Sequence, residues 1–587
     1  MVDIYELLAD IIKTTYGKTI SGNFTDENKQ RLRNEDWKVY ELIKKICTLI
    51  VNYRDKIACF QPGYEWEEER NFAIADMTDE DYQELEKLDL NKMPTVLAYR
   101  ISEMLWTSKG NYKMALQAIK YAEELFDSSF NASRWTSSIG YLRRAITLAA
   151  QLGKKDEYLR LCEKCLNYTE RVDIKEGCYA IIALLRILLE QKYDDKKNKI
   201  QPLLDTVIFE NADIDKKIKA YELKLKFLNK DNAALTTAKK DFADVLIYDA
   251  DKTEKNNVRN LFIIEKNLIK AIELLQSIGE AELAKSTKRK LIEVQSEIPK
   301  NMQVVRTKKD VTESVKLINE LFAGLTFQES VIRLSQCVIF YKKEDLRSCV
   351  LNSKDDFVSK LFGASYKDSN GQTIIELPPL DINDPEKDEH LIELYMFSEA
   401  RMKEEFLGNN HLKWIIQLLN KEHNFEEQEL KFLVEDNPII PMGREQIILK
   451  GIYEGLKGNV YLALHVLAPQ LENIFRNIAE SVGGIVITLE HDGTSQKKTL
   501  SNIFDLPELL ECYDNDILFL FRGLLNEKAG SNIRNEIAHG KMNEGTGNSG
   551  ASIFLLGATI KLLSYTSREA LKIYHELSDK GNKQDNK

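Results

Sequence analysis

The chain has 587 residues, too many for one hydrophobic core, so two to four domains are expected. Composition is ordinary for a globular protein, 43% hydrophobic and 30% charged. The formal net charge of −11 argues against a broad basic face for duplex DNA. There is no long uncharged apolar run, and the opening MVDIYELLADIIKTTYGK is acidic where a secretory signal is basic, so no membrane span and a cytoplasmic location are expected.

Residues 1–300 read as an N-terminal helical, repeat-like region. Between Pro94 and Pro299 the one proline is Pro202. Apolar residues recur there at three- and four-residue spacing, through LAYRISEMLWTSKG, NYKMALQAIKYAEELFD and the segments that follow. Short turns at 109–111 and 152–154 separate the helices. Gly110, Tyr112, Ala115 and Ala122 match the small and aromatic positions of a tetratricopeptide helix pair. Later units keep the periodicity and lose that pattern. The reading is an irregular α-solenoid, either a plain scaffold or a surface for a protein partner or trigger. Cys162 and Cys165 form a CxxC on a helical segment without a second ligand pair. Packed thiols and a metal or redox site are the two readings, and the spacing favours the first.

Residues 301–436 read as a middle helical region. It is interrupted near 366–388 by a Pro/Gly loop with Gly371, Pro378, Pro379 and Pro385. Pro438 and Pro441 mark the next break, and a last domain is expected over 437–582, followed by a disordered tail at 583–587. In this domain GNVYLALHVLAPQLENIFRNIAESVGG predicts one long amphipathic helix ended by Gly483 and Gly484. IVITLEHDGTSQKKTL predicts a small hairpin turning at Asp492-Gly493, with His491 exposed beside it. Ser531 or Asn532 is the expected N-cap of a short helix carrying Arg534, Asn535 and His539, and Gly540 ends it. Asn535 and His539, four apart, are expected on one face. The GKMNEGTGNSG loop is expected to be mobile. SIFLLGATIKLLSYTSREALKIYHELS predicts a final helix, apolar along one side, that closes the domain.

Arg534-Asn535-x-x-x-His539 resembles the R-x4-6-H signature of the HEPN superfamily. NPIIPMGRE, ALHVLAPQLENIFR and NIRNEIAHG, in that order, resemble a family of helical proteins within it that carries an RNxxxHG motif. The resemblance covers about residues 435–582. It implies an all-α protein whose solenoid is followed by a HEPN-like helical bundle. It also implies metal-independent RNA cleavage by 2′-OH attack, with Arg534, Asn535 and His539 catalytic. His can move a proton near neutral pH, Arg can brace a phosphate, and Asn can orient either. One His per chain leaves the second proton transfer unassigned. Relatives pair two such domains, so a homodimer through the last domain is expected. His465, Glu472 and Arg476 share a face of the long helix and either line the cleft or form a structural polar cluster. There is no GxxxxGK[ST] loop, no HExxH and no evident two-metal acidic cluster, so neither a metal nor a cofactor is expected. The reading is an endoribonuclease, by analogy a regulated toxin or an effector of stress or antiviral defence. The alternative is a non-enzymatic scaffold whose last domain binds RNA or nucleotide, or only dimerises.

Overall fold

The computed structural model describes residues 2–13, 20–53, 60–63, 65–66, 69–131, 135–193, 198–211, 213–228, 232–303, 310–352, 362–368, 370–381, 387–489 and 494–584. The protein is all-α. The described strands form short antiparallel pairs and no larger sheet. The chain divides into two compact units, 1–294 and 295–587.

In the first unit, helices at Ile4–Lys13 and Trp37–Thr48 precede a series of consecutive helices: α1 (Thr95–Lys109), α2 (Tyr112–Ser129), α3 (Ile139–Gln151), α4 (Lys155–Arg171), α5 (Ile174–Glu190), α6 (Ile200–Glu210), α7 (Ile214–Phe227), α8 (Asn232–Lys252) and α9 (Val258–Ser277). From α1 to α9 each helix packs on the next, the pattern of a solenoid. Gly110 ends α1 at φ 64°, a left-handed position that a residue with Cβ enters only at a cost. Ala115 and Ala122 are fully buried and allow α1 and α2 to approach closely, whereas Tyr112 is half exposed and does not serve that seam. Cys162 and Cys165 are both fully buried on α4, where burial pushes both thiols up, Cys162 to about 11. They are core side chains. Across α1 and α3 the guanidinium of Arg144 donates to the carboxylate of Glu103, and both side chains have zero exposure.

Three differences from expectation shape the core of the second unit. First, the segment expected as a Pro/Gly loop contains a hairpin, β1 (Ala364–Lys367) paired antiparallel with β2 (Thr373–Leu377), with Gly371 at φ 76° between them. The hairpin packs on α10 (Glu389–Leu407). Leu377 shares a core with Leu391 and Tyr395, and the Tyr366 hydroxyl bonds that of Ser398. Second, the hydrophobic core crosses the expected 436/437 boundary: Val331, Ile415 and Phe425 join Leu464, Phe475 and Leu563 in one cluster. Asn437 sits at the crossing. Its amide donates to the carbonyls of Leu433 and Leu563, so the turn marked by Pro438 and Pro441 is stitched into the core.

Third, the last apolar segment is two helices, α15 (Gly550–Thr566) and α16 (Arg568–Gln584), and α15 is buried from Gly550 to Ser564. A helix apolar on every side belongs inside a bundle, and α15 is its centre. Its N-terminus is closed by Glu405, whose oxygens accept from the N–H groups of Gly550 and Ala551 at 3.1 and 2.8 Å. Gly408 allows that approach, since a Cβ there would lie 1.8 Å from the Gly550 carbonyl oxygen. Helix α16 runs into the segment expected as a tail, and 585–587 lie outside the described residues.

Four further elements frame the site. Helix α11 (Glu445–Leu456) packs along α12 (Val460–Ser481), and α13 (Asn515–Leu525) lies beside α14 (Ile533–Ala538). The expected small hairpin is present as β3 (Ile487–Leu489) and β4 (Ser495–Lys497). Its Asp492-Gly493 turn and His491 lie outside the described residues. The GKMNEGTGNSG segment, expected as a loop, contains a helical turn at Glu544–Gly547, capped by Asn543.

Candidate functional site

Helix α14 packs against both α12 and α13, and its first polar side chain, Arg534, faces a carboxylate on α12. Arg534 Nε donates to Glu472 Oε2 at 2.8 Å, and its Nη2 lies 2.7 Å from the same oxygen. Its Nη1 donates to Asn535 Oδ1 at 2.9 Å. The other oxygen of Glu472 accepts from Arg476 Nη2 at 2.8 Å. Arg476 also donates to Asn473 and to the Lys498 carbonyl, just past β4. Glu472 therefore holds two guanidiniums, and the trio carries a net charge of +1. Arg476 and Glu472 are mostly buried, while the Arg534 side chain keeps 29% exposure. Charge-assisted bonds of this kind are short and orienting.

Asn535 has a single supported orientation. With Oδ1 taken by Arg534, its Nδ2 donates to Asn532 Oδ1 at 2.8 Å and to the Asn526 carbonyl at 3.2 Å. This replaces the expected cap. Asn532 is the N-cap residue, but it stands at φ 52°, in the left-handed region, and makes no side-chain bond to the helix backbone. Its side-chain oxygen serves Asn535. The Ser531 hydroxyl donates instead to Glu404 on α10, at 2.7 Å. Glu404 is 1% exposed, and burial pushes its carboxyl up to about 8.

The expected face shared by Asn535 and His539 is altered by the end of the helix. Helix α14 stops at Ala538, and His539 is its C-cap residue at φ −92°, ψ 5°. Its backbone N–H bonds the Asn535 carbonyl. The imidazole is exposed and has no hydrogen-bond partner among the described residues. Gly540 follows at φ 64° and turns the chain away.

Of the three supporting candidates on α12, Glu472 and Arg476 join the network and His465 does not. His465 lies seven residues from Glu472, about 10 Å along the axis. Its Nδ1 is 2.8 Å from the Tyr461 carbonyl oxygen and its ring stands edge-on to that tyrosine. Sequence reasoning missed Glu404, Asn526 and the hub role of Glu472. The spacing of Glu472 and Arg476 carried a signal, but Glu404 lies 127 residues from Ser531 and had none.

A cleft of about 520 Å³ opens on the other side of α14, along Asn532, Ile533, Glu536 and Gly540. Arg534, Asn535 and His539 are not among its walls. Among the described residues no cluster of His, Cys, Asp and Glu has the arrangement to hold a metal, and no helix is long and apolar enough to cross a membrane.

A family described as a domain of unknown function, DUF7380, matches residues 2–160. The match lies in the first unit, ends inside α4 and does not reach the α14 site. No curated protein and no solved structure matches the chain.

Proposed function

We propose that the second unit is a metal-independent endoribonuclease of the HEPN type. One observation carries the reading. At the surface turn 534–539, a carboxylate and an amide fix a guanidinium, and an exposed imidazole without a partner among the described residues stands at the turn's end. The substrate 2′-OH attacks the adjacent phosphorus, and the P–O5′ bond breaks. The products are a 2′,3′-cyclic phosphate and a 5′-OH. His539 takes or gives the proton, Arg534 meets the charge growing on the phosphate oxygens, and Asn535 holds Arg534 in place. The +1 charge of the Glu472 trio favours an anionic substrate.

In-line transfer needs a second proton-transfer group opposite the first. A two-fold pair of second units would supply it as the partner's copy of His539. Ile485, Ile487 and Leu489 alternate along the β3 side of the hairpin, all exposed, and offer an apolar strip for such pairing. The first unit would then hold the trigger or protein partner of a regulated toxin or defence effector.

The test is cleavage of labelled RNA by the full chain in EDTA. We expect cyclic-phosphate ends, no cut in DNA of the same sequence, and a loss of about 10²–10⁴-fold in both His539→Ala and Arg534→Ala. Intact RNA, or variants as active as the parent, would overturn the reading. Growth arrest on expression, relieved by His539→Ala, is the expected cellular counterpart. A second reading, a binding or dimerising module, draws on the engagement of Arg534 by Glu472 and Asn535, which a structural polar network also needs. Self-association and RNA binding without any cleavage is the result that selects it.

A further inference from the structure

The cleft behind α14 is built from parts far apart in sequence: the β1–β2 hairpin, α10, the turn before α14 and the segment after it. Its walls carry four cations, Lys367, Arg401, Lys528 and Lys541, against three carboxylates. Two of those carboxylates are already committed to backbone N–H groups. Glu405 closes the N-terminus of α15, and Asp368 Oδ1 accepts from Asn370 and Gln372 inside the hairpin turn, both at 2.9 Å. Glu536 is the third. Among the described residues Lys528, Lys541 and Arg401 make no ion pair; the two lysines are exposed, and Arg401 stacks 5.3 Å over the Tyr366 ring. Four cations against three carboxylates leave the cleft a formal charge of +1, although the whole chain is acidic.

The rest of the lining is uncharged, with hydrogen-bonding Gln372, Ser531 and Thr546 beside apolar Ile374, Ile533 and Met542. Among the described residues no aromatic side chain lines it, so they offer no platform on which a base would stack. Cations interleaved with hydroxyls and amides suit phosphates and ribose hydroxyls. The volume lies in the range of ligand-sized clefts, about 300–1,000 Å³. Gly540, in its wall, is the neighbour of His539, so a strand lying in the cleft passes one residue from the exposed imidazole.

We propose that this cleft holds the sugar–phosphate backbone of a single-stranded RNA and delivers the strand to His539; the inference rests on the ribonuclease reading of the α14 turn. Sequence-independent contacts of this kind position the strand, and they make binding salt-dependent.

The test is fluorescence anisotropy of a labelled single-stranded RNA on the full-length His539→Ala chain, across a salt series. Lys528→Glu/Lys541→Glu in that background is expected to weaken binding about tenfold or more. Lys528→Gln/Lys541→Gln is expected to fall between, with a salt slope smaller by about 1.4 for the two lost charges. Both lysines are exposed, so an unchanged melting temperature checks the fold. In the active chain the same lysine changes should raise KM and leave kcat in place. RNA binding with the same affinity and salt slope in the double variants overturns the proposal, as does absence of RNA binding by the parent. Ribose 5-phosphate that occupies the cleft without being displaced by RNA overturns it too, in favour of a small-ligand site. The two readings fail separately. RNA held by the cleft lysines but never cut sinks the ribonuclease alone, and RNA cut with an unchanged KM in the double variant sinks the cleft alone.

Discussion

Each unit contains a Glu–Arg cluster, and the two differ chiefly in burial. In the first unit Glu103 and Arg144 have zero exposure, and one oxygen of Glu103 has no hydrogen-bond partner among the described residues. Burial pushes the Glu103 carboxyl up and the guanidinium against it pulls the other way. In the second unit Glu472 holds Arg476 on its inner side and Arg534 on its outer side, and Arg534 still reaches solvent. The first arrangement joins α1 to α3 out of reach of solvent. The second stores positive charge at the surface with its geometry already set. The same two residue types thus serve cohesion in one place and can meet a ligand in the other.

Breaking the buried pair should have the largest effect. Glu103→Ala leaves a guanidinium in the core, and a loss of about 3–5 kcal/mol is expected in denaturant unfolding of the first unit. Replacing both residues with apolar ones of similar volume should recover most of it, and failure to recover would show that the pair supplies more than charge balance. Glu472→Gln should cost less, about 2 kcal/mol, because Arg476 loses its anionic partner but keeps the Asn473 oxygen and the Lys498 carbonyl.

The pH dependence should separate the units further. Glu404 is raised to about 8 in the folded protein, so the folded state binds its proton more tightly than the unfolded chain does. Its contribution is fully present below the ordinary carboxylate range and is lost as pH rises through about 8. At its steepest the slope is about 1.4 kcal/mol per pH unit. Glu404→Gln should remove that slope from the melting curve of the second unit; a slope that survives would assign it to another group. Arg534→Ala should have the smallest effect on stability, below about 1 kcal/mol, because its side chain is partly solvated. A large loss there would place Arg534 with Arg144 as a structural cation.

What was legible depended on how local the cause was. Gly110, Gly483 and Gly540 mark helix ends because left-handed φ is a property of one residue. The 364–377 hairpin was hidden behind Gly371 and Pro378–Pro379, which read as a loop. Its strands are short, and their reason to pair is the packing of Leu377 and Tyr366 on α10. Pro438 and Pro441 do mark a turn. Whether a core passes across it depends on contacts such as that of Asn437 with Leu563, 126 residues away.

From its sequence alone the protein was all-α, with a solenoid-like front and a candidate turn at Arg534, Asn535 and His539. Helical periodicity, caps and a short motif are written within a few consecutive residues. Tertiary structure alone decided that Glu472 binds both arginines, that His465 stands apart, that α15 is the buried centre, and that a cationic cleft lies behind α14. Those outcomes depend on which side chains meet across tens of residues of chain or more, 62 between Glu472 and Arg534 and 127 between Glu404 and Ser531, and only the packed core determines that.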